Sequence, residues 1–201
     1  MITKRINDFF FYVMVCTIFG FTSCNNDYTP KPKAYPKVDF PERSYQVYVS
    51  PTCPFSFEIP KYARVLNDST YFGEKLNQPC WLTVDLPPFN GTINLTYKEI
   101  GDSLKIGKLI EDAHQMSYKH TRKADYIEEV TISNEFGVRG ILFDVGGDAA
   151  SNVQFYLSDS TRHFIRGALY FENPPNTDSM APIVSFVKED LRHFLKTFKW
   201  K

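Results

Sequence analysis

Alternation of apolar and polar residues, interrupted by turn residues, constrains the fold of this chain more than any other feature of its sequence. Alternation over five or six residues is typical of a β-strand with one buried face. Runs of strands joined by short turns favour an antiparallel sheet over alternating βαβ units. The sequence predicts strands at residues 45–49, 55–60, 63–68 (a separate strand or a continuation of the second), 80–86, 91–100, 126–132, 138–146, 153–159 and 163–171.

One segment between these strands has a helical repeat instead. In residues 104–121, apolar side chains from Ile106 to Tyr118 form one face. Asp102 or Ser103 is expected to cap the N-terminus of this helix, because both side chains accept hydrogen bonds from unpaired helix N–H groups.

A second helical repeat, residues 181–198, closes the chain with apolar residues at i, i+3, i+4 and i+7. Pro182 suits its first turn, and Asp178 or Ser179 suits its cap. The sequence therefore predicts an α+β fold, in which a mainly antiparallel β-sheet is flanked by two amphipathic helices that cover one or both of its faces.

The chain starts with a short apolar segment. Lys4 and Arg5 precede residues 9–21, which carry no charge. A helix of about 13 residues rises only about 20 Å, whereas a bilayer core is about 30 Å thick. The segment is therefore interpreted as the apolar region of a signal peptide and not as a membrane-spanning helix.

A cysteine follows this segment directly. Small residues, Thr22 and Ser23, precede Cys24 in the pattern of a bacterial lipobox. The prediction is that residues 1–23 are removed as a lipoprotein signal peptide and that Cys24 is acylated, which gives stable anchoring when two or more chains are attached. The alternative is an ordinary signal peptide beside an incidental cysteine.

Residues 24–43 are polar and contain four prolines. They are predicted to form an extended tether, because they cannot build a helix and have little to bury. The alternative is that the end of this segment, residues 35–41, packs along the domain as an edge. The rest of the chain, residues 44–201, is predicted to be one α+β domain.

The charge balance argues against one class of partner. Without Lys4, Arg5 and Asp8, the 23 basic and 23 acidic residues become 21 and 22. A nearly neutral chain offers no electrostatic case for binding nucleic acid.

Two cysteines remain in the predicted mature domain, Cys53 and Cys80, and each lies at the threshold of a strand. An even pair in an oxidising compartment predicts a disulfide. It would close a loop of roughly 27 residues, worth about 3 kcal/mol in the chain-entropy model. Two separate buried thiols are the alternative, and the spacing excludes a CxxC redox centre.

Motifs for catalysis are missing from the sequence. His114 and His120 are six residues apart, which does not place a metal-binding pair on one helix face. His163 and His193 are expected at an edge or on the surface. There is no G-x-S-x-G, phosphate loop or H-E-x-x-H. The sequence therefore predicts no catalytic residue, no metal site, no cofactor and no enzyme.

An acidic, glycine-rich stretch is the remaining local signal. Gly146 and Gly147 predict a tight hairpin, and Asp144 and Asp148 offer too few oxygen ligands for calcium, which is the weaker alternative. The adjacent Glu128 and Glu129 would face opposite sides of a strand and so cannot act as a catalytic pair.

Six strings run in the same order through nearly the whole mature chain: "YTPKPKAYPKVDFP", "CPFSFEIPKYA", "PCWLTVDLPPFNGTINLTYKEI", "HTRKAD", "GVRGILFDVGGDAASNVQFYLSDSTRHFIRGALYF" and "PNTDSMAPIVSFVKEDLRHFLKTFKW". In them the chain resembles the gliding-motility lipoprotein GldD family of the Bacteroidota. The resemblance implies an envelope lipoprotein tied to gliding and to type IX secretion, with other envelope proteins of that machinery as partners. The order of elements is also loosely similar to the PsbP/Mog1-like fold, an analogy that says nothing of function.

Asp-Ser pairs also resemble the O-glycosylation pattern of the Bacteroidota, and this pattern makes four serines candidate acceptors. A serine that carries a glycan must lie on an exposed loop. The alternative is ordinary turn and helix-cap chemistry. The candidates are Ser69, Ser103, Ser160 and Ser179.

Three functions are compatible with these features. The first is a lipid-anchored assembly component that acts by protein–protein contact, expected at the outer membrane facing the periplasm. The second is a periplasmic module for a small ligand or glycan, with Trp81, Phe89 or Tyr156 as a platform. The third is a hydrolase with an unrecognised site, although no residue of the sequence indicates this activity.

Overall fold

The computed structural model describes residues 37–67, 70–71, 74–75, 80–101, 104–172 and 177–201. All of them belong to one compact unit. The predicted signal peptide, the predicted lipidation site Cys24, most of the predicted tether, and the candidate acceptors Ser69 and Ser103 lie outside the described residues. Among the helices of the described ranges, none is both long enough and apolar enough to cross a bilayer.

Twelve strands and two α-helices make up the described structure. The helices are α1 (Ile106–Tyr118) and α2 (Thr177–Thr197), with 3₁₀ turns at Pro87–Phe89 and Lys119–Arg122. The strands are β1 (Tyr45–Val49), β2 (Phe55–Pro60), β3 (Arg64–Asn67), β4 (Thr70–Tyr71), β5 (Glu74–Lys75), β6 (Trp81–Leu86), β7 (Gly91–Glu99), β8 (Ala124–Ser133), β9 (Arg139–Gly147), β10 (Val153–Ser158), β11 (His163–Phe171) and β12 (Lys199–Trp200).

Seven of the strands form one antiparallel sheet, in the order β3-β6-β7-β11-β10-β9-β8. This confirms the predicted α+β class. A separate three-stranded sheet, β1-β2-β12, and the short β4-β5 pair were not predicted. They are shorter or depend on pairing between distant parts of the chain, so local alternation does not reveal them.

The two helices lie on opposite faces of the large sheet. The larger core cluster joins one sheet face to α2 and to β2 of the small sheet, through residues such as Leu82, Ile165, Phe57 and Phe194. A smaller cluster joins the other face to α1, through Leu109 and residues of β9 to β11. Because side chains alternate along a strand, the central strands β10 and β11 each supply both cores.

The predicted N-caps of both helices are wrong. Helix α1 begins after Lys105, whose side chain makes no capping bond; the predicted caps Asp102 and Ser103 themselves lie outside the described residues. Helix α2 begins earlier than predicted, at Thr177, so the acidic residue Asp178 lies inside its first turn. A carboxylate there still complements the positive end of the helix dipole.

The described end of the proline-rich segment packs on the domain. Residues 37–44 form neither helix nor strand. Val38 contacts the larger core cluster, and the Phe40 ring stacks on that of Phe186 with centroids 4.7 Å apart. The guanidinium of Arg43 lies 4.3 Å from the same Phe186 ring centroid. Of the two alternatives, packing along the domain describes this end of the segment, without strand pairing.

Cys53 and Cys80 are joined by a disulfide with Cα atoms 5.6 Å apart. It links the turn before β2 to the residue that precedes β6. The small sheet is thereby attached covalently to the large one, within the core that the two sheets share with α2.

Candidate functional site

The three aromatic residues considered as a binding platform do not lie together. Phe89 and Tyr156 are buried in the two different core clusters. Trp81 is half-buried at the start of β6 and lines a cleft on the α1 side of the large sheet. A shared platform is therefore excluded, and only Trp81 remains at a candidate site.

This cleft, which we call the α1 cleft, exists because α1 covers only part of its sheet face. Leu109 and Ala113 of α1 pack over β9, β10 and β11. On β6 and β7 the side chains of the same face are mainly polar, so no second core layer forms there. The cleft has a volume of about 520 Å³ and is lined by Trp81, Leu82, Asn94, Leu95, Thr96, Lys98, Leu109, Asp112, Ala113, Met116, Phe164, Arg166, Ala168 and Tyr170.

A half-buried arginine on the central strand β11 lines this cleft. Arg166 donates from Nη2 to Oε1 of Gln154, and the hydroxyl of Tyr170 also interacts with its guanidinium. Burial lowers the pKa of Arg166 below its ordinary value. Within the described ranges, its Nε is buried without a hydrogen-bond partner, and no carboxylate forms an ion pair with it.

The neutral partner of this arginine is held in place from α1. Gln154 is 0% exposed, and its Oε1 lies 3.4 Å from the donating Oγ of Ser117. Ser117 also donates to the carbonyl oxygen of Ala113 one turn earlier, at 3.0 Å. The guanidinium of Arg166 is therefore positioned by neighbours that carry no charge.

A second cation and one carboxylate complete the charged lining of the cleft. Nζ of Lys98 lies 5.3 Å from the centroid of the Trp81 ring, a cation–π distance. Asp112 forms an ion pair with Lys108 on its own helix, with Nζ 3.0 Å from Oδ1. The carboxylate is therefore already paired, whereas the two cations face a mostly apolar cleft.

A smaller cavity of about 290 Å³ lies between α2 and strands β8 and β9. Its carboxylate, Asp144, forms a half-buried ion pair with Lys188 of α2, with Oδ1 and Nζ 2.5 Å apart. A Cβ at Gly146 would lie 2.0 Å from the ring of Tyr126, which explains a glycine there. No cluster of three or more metal-ligating side chains occurs in the described part of the chain.

Three of the four histidines occur in separate pairs. Nδ1 of His114 lies 3.3 Å from Oε1 of Glu129, Nδ1 of His163 lies 2.7 Å from the Tyr97 hydroxyl, and Nε2 of His193 lies 2.6 Å from Oε2 of Glu58. The fourth, His120, has its pKa lowered by burial and by the nearby positive charge of Arg166. The arrangement does not bring the histidines to one site.

Two candidate glycan acceptors are described. Ser160 is exposed in the turn between β10 and β11, where Oδ1 of Asp159 accepts hydrogen bonds from the N–H groups of residues 161, 162 and 163. Asp159 thus stabilises the turn by accepting these hydrogen bonds, and Ser160 stays exposed. Ser179 is half-buried within helix α2 and is the poorer acceptor.

Strand β8 is a long, exposed edge of the large sheet. In the described ranges it pairs with β9 alone, and most of its ten residues are exposed. Tyr126 is 53% exposed and Val130 is 44% exposed, and Phe136 in the following turn is 46% exposed. Sequence reasoning identified the strand but not its edge position, which follows from the sheet order.

Comparison with known proteins gives one family. The family model for the gliding motility lipoprotein GldD matches residues 25–200. The structure is similar to the solution structure of cyanobacterial PsbP (CyanoP) from Synechocystis, with 11% identity, a TM-score of 0.46, and coverage of 90% of this chain and 99% of that chain. No curated protein matches the chain. The likeness to PsbP, at this identity and TM-score, carries no argument about function.

Proposed function

This chain belongs to the gliding motility lipoprotein GldD family, and on that premise we propose that it is a non-catalytic component in the assembly or stability of the gliding-motility and type IX secretion machinery. It acts by protein–protein contact from a lipid anchor at Cys24, at the outer membrane and facing the periplasm. The tether of residues 24–43 connects this anchor to the domain, and its end packs on the domain as described.

The observation that carries this proposal is the exposed edge strand β8. An edge strand presents unpaired backbone N–H and C=O groups, which a partner strand can satisfy by extending the sheet. Natural proteins usually shorten, cover or interrupt such edges. β8 has ten residues, and its one irregularity lies near its start, between Ala124 and Ile127. The exposed side chain of Tyr126 lies in this irregularity, and that of Val130 lies further along the strand.

The side chains on this edge indicate the chemistry of the partner. Tyr126 and Val130 supply apolar contacts, and the acidic residues Asp125, Glu128 and Glu129 are exposed beside them. A partner strand that carries both apolar and basic residues would complement this edge, because opposite charges directly across a strand pair stabilise it.

Site-specific photocrosslinking in the native envelope tests this proposal. A photoreactive amino acid at Val130 is expected to capture an envelope protein of the gliding or type IX machinery. The matched control is the same substitution at Val47, an exposed valine on β1 of the small sheet. Capture from both positions alike would contradict a specific role of β8.

A double charge substitution provides the functional readout. Tyr126→Asp together with Val130→Asp adds repulsion to an acidic edge without disturbing either core, since both side chains are exposed. We expect cell spreading and secretion to be lost while the protein level stays unchanged. Normal secretion and gliding by this variant would overturn the proposal.

A further inference from the structure

The α1 cleft combines two cations with an apolar lining and lies away from the β8 edge. We propose that this cleft binds an organic anion, a single carboxylate or phosphate group on an apolar body, and that Arg166 holds the anionic group. This goes beyond the assembly role, because it requires no protein partner.

The first argument is the unbalanced charge at Arg166. A buried charge is costly unless an opposite charge or a full set of hydrogen bonds compensates it. Gln154 and Tyr170 are neutral, and within the described ranges the Nε has no partner. The planar guanidinium presents five N–H donors in a fork that matches a carboxylate or phosphate. An anionic group in the cleft would supply the missing charge.

The second argument is the composition of the rest of the cleft. Trp81, Leu109, Met116 and Phe164 offer an apolar surface that an inorganic ion or a hydrophilic glycan would not fill. The volume of about 520 Å³ lies within the roughly 300–1,000 Å³ typical of small-molecule sites. The ligand must therefore carry a substantial apolar body beside its charged group.

The third argument is preorganisation. Arg166 lies within β11, which is hydrogen-bonded to β7 on one side and to β10 on the other, opposite Thr96 and Tyr156. Its partner Gln154 is held by Ser117 from α1. A site on central strands loses little freedom when a ligand binds. Lys98 lines the cleft as a second cation, so its charge also favours the binding of an anionic group.

Calorimetric titration of the full-length lipoprotein in phosphatidylcholine nanodiscs tests the proposal. The probes are sodium dodecanoate and sodium 2-naphthoate, with dodecanol and 2-naphthamide as neutral analogues of the same shape, and inorganic phosphate as a headgroup alone. We expect at least one acid to bind ten or more times more tightly than its neutral analogue and than phosphate. Preference for dodecanoate would assign a lipid-derived ligand, and preference for naphthoate a free aromatic acid.

Three variants locate the binding. Arg166→Met should weaken binding of the acid at least tenfold, whereas Arg139→Met, at an exposed arginine at the start of β9 outside the cleft, should leave it unchanged. Met116→Trp should obstruct the cleft from the rim of α1 and weaken binding without removing a charge. If Arg166→Met fails to fold, two measurements still test the proposal. They are binding to Met116→Trp and the comparison of acid with neutral analogue on the wild type.

The results that would overturn the proposal are specific. They are equal binding of acid and neutral analogue, no binding of either acid to the wild type, or unchanged acid binding in a folded Arg166→Met protein. Unchanged binding in Met116→Trp would exclude the α1 cleft as the location. None of these results bears on whether β8 contacts a partner protein.

Discussion

The Tyr45 hydroxyl on β1 donates a 2.8 Å hydrogen bond to Oδ1 of Asp190 on α2, 145 residues further along the chain. Tyr62 donates to the other oxygen, Oδ2, at 2.5 Å, and Nε of Arg43 lies 3.4 Å from Oδ1. Asp190 is only 4% exposed. One buried carboxylate therefore connects the small sheet, the segment before it and the last helix.

Asp190→Ala should destabilise the domain by about 2–4 kcal/mol, because it leaves two half-buried tyrosine hydroxyls and a nearby guanidinium without their acceptor. Urea unfolding followed by circular dichroism measures the change. Glu189→Ala is the matched control, since this neighbouring acid is exposed and forms an ion pair with Arg192 on the helix surface. We expect it to cost under about 0.5 kcal/mol. Equal effects of the two substitutions would contradict the role of Asp190.

The same carboxylate makes stability sensitive to alkaline pH. Burial, then the hydrogen bond and charge of Asp190, raise the pKa of Tyr45 to about 12, and they raise the pKa of Tyr62 as well. A raised folded-state pKa contributes stability that is complete below the unfolded value near 10 and lost as pH rises through the folded value. The loss is at most about 1.4 kcal/mol per pH unit and group.

The stability difference between the wild type and Tyr62→Phe should therefore shrink as pH rises from 9 to 11. The phenylalanine variant lacks the titrating hydroxyl, so it cannot lose this contribution. Urea midpoints at each pH give the difference. A difference that stays constant over this range would show that Tyr62 does not titrate abnormally.

Asp159 produces the opposite dependence at acidic pH. Burial alone would raise its pKa, but hydrogen bonds from the backbone of His163, Arg162 and Thr161 outweigh burial and lower it to about 2. A lowered pKa contributes stability above the unfolded value near 4, and this is lost as pH falls towards 2. Asp159→Asn should cost on the order of 1 kcal/mol at pH 6, and the cost should decrease by pH 3. Asp39→Asn, at an exposed surface pair, is the matched control substitution.

The disulfide should be detectable as the mass of a linked peptide and as a contribution to the stability of the domain. Non-reducing peptide mapping is expected to recover a peptide that joins Cys53 to Cys80. Replacing both residues by alanine should lower stability by about 3 kcal/mol, because the unfolded chain regains the entropy of a 27-residue loop. The protein for this test is isolated from the periplasmic side of the native envelope. Recovery of two free thiols from it would contradict the presence of the disulfide.

Lipid and glycan should both appear in the intact mass of the mature protein from its native host. The expected mass is that of residues 24–201 plus the acyl groups on Cys24, with any glycan as a further increment. Because Ser160 is exposed in a turn and Ser179 is half-buried in a helix, Ser160→Ala should remove a glycan among the described candidates and Ser179→Ala should not. A mass equal to peptide plus lipid alone would exclude glycosylation.

Local patterns were sufficient for most elements of the sheet. The predicted strands at residues 45–49, 55–60 and 163–171 match the structure at both ends, because alternation and turn residues act over a few neighbours. The helix ends were less predictable. Helix α1 begins at Ile106, just after a backbone bridge between Gly101 and Leu104, and residue type does not reveal such a contact.

The candidate site was only partly visible in the sequence. Trp81 was named as an aromatic that could bind a ligand, whereas Arg166 was not singled out. Alternation along β11 places the side chain of Arg166 on the other sheet face from its core-facing neighbours Ile165 and Gly167, and this placement is a local property of the sequence. That α1 leaves this part of the sheet uncovered depends on how a distant helix packs.

The sequence alone determined the alternation of strands and helices, the apolar faces of both helices and the lipoprotein signature, since each is a pattern among near neighbours in the chain. Among the described residues, the tertiary structure decided the partners of Asp190, the pairing of β12 with β2, the edge position of β8 and the lack of a carboxylate beside Arg166. These features arise from contacts between residues far apart in sequence. Packing against the rest of the fold, and not local preference, sets their burial and their partners.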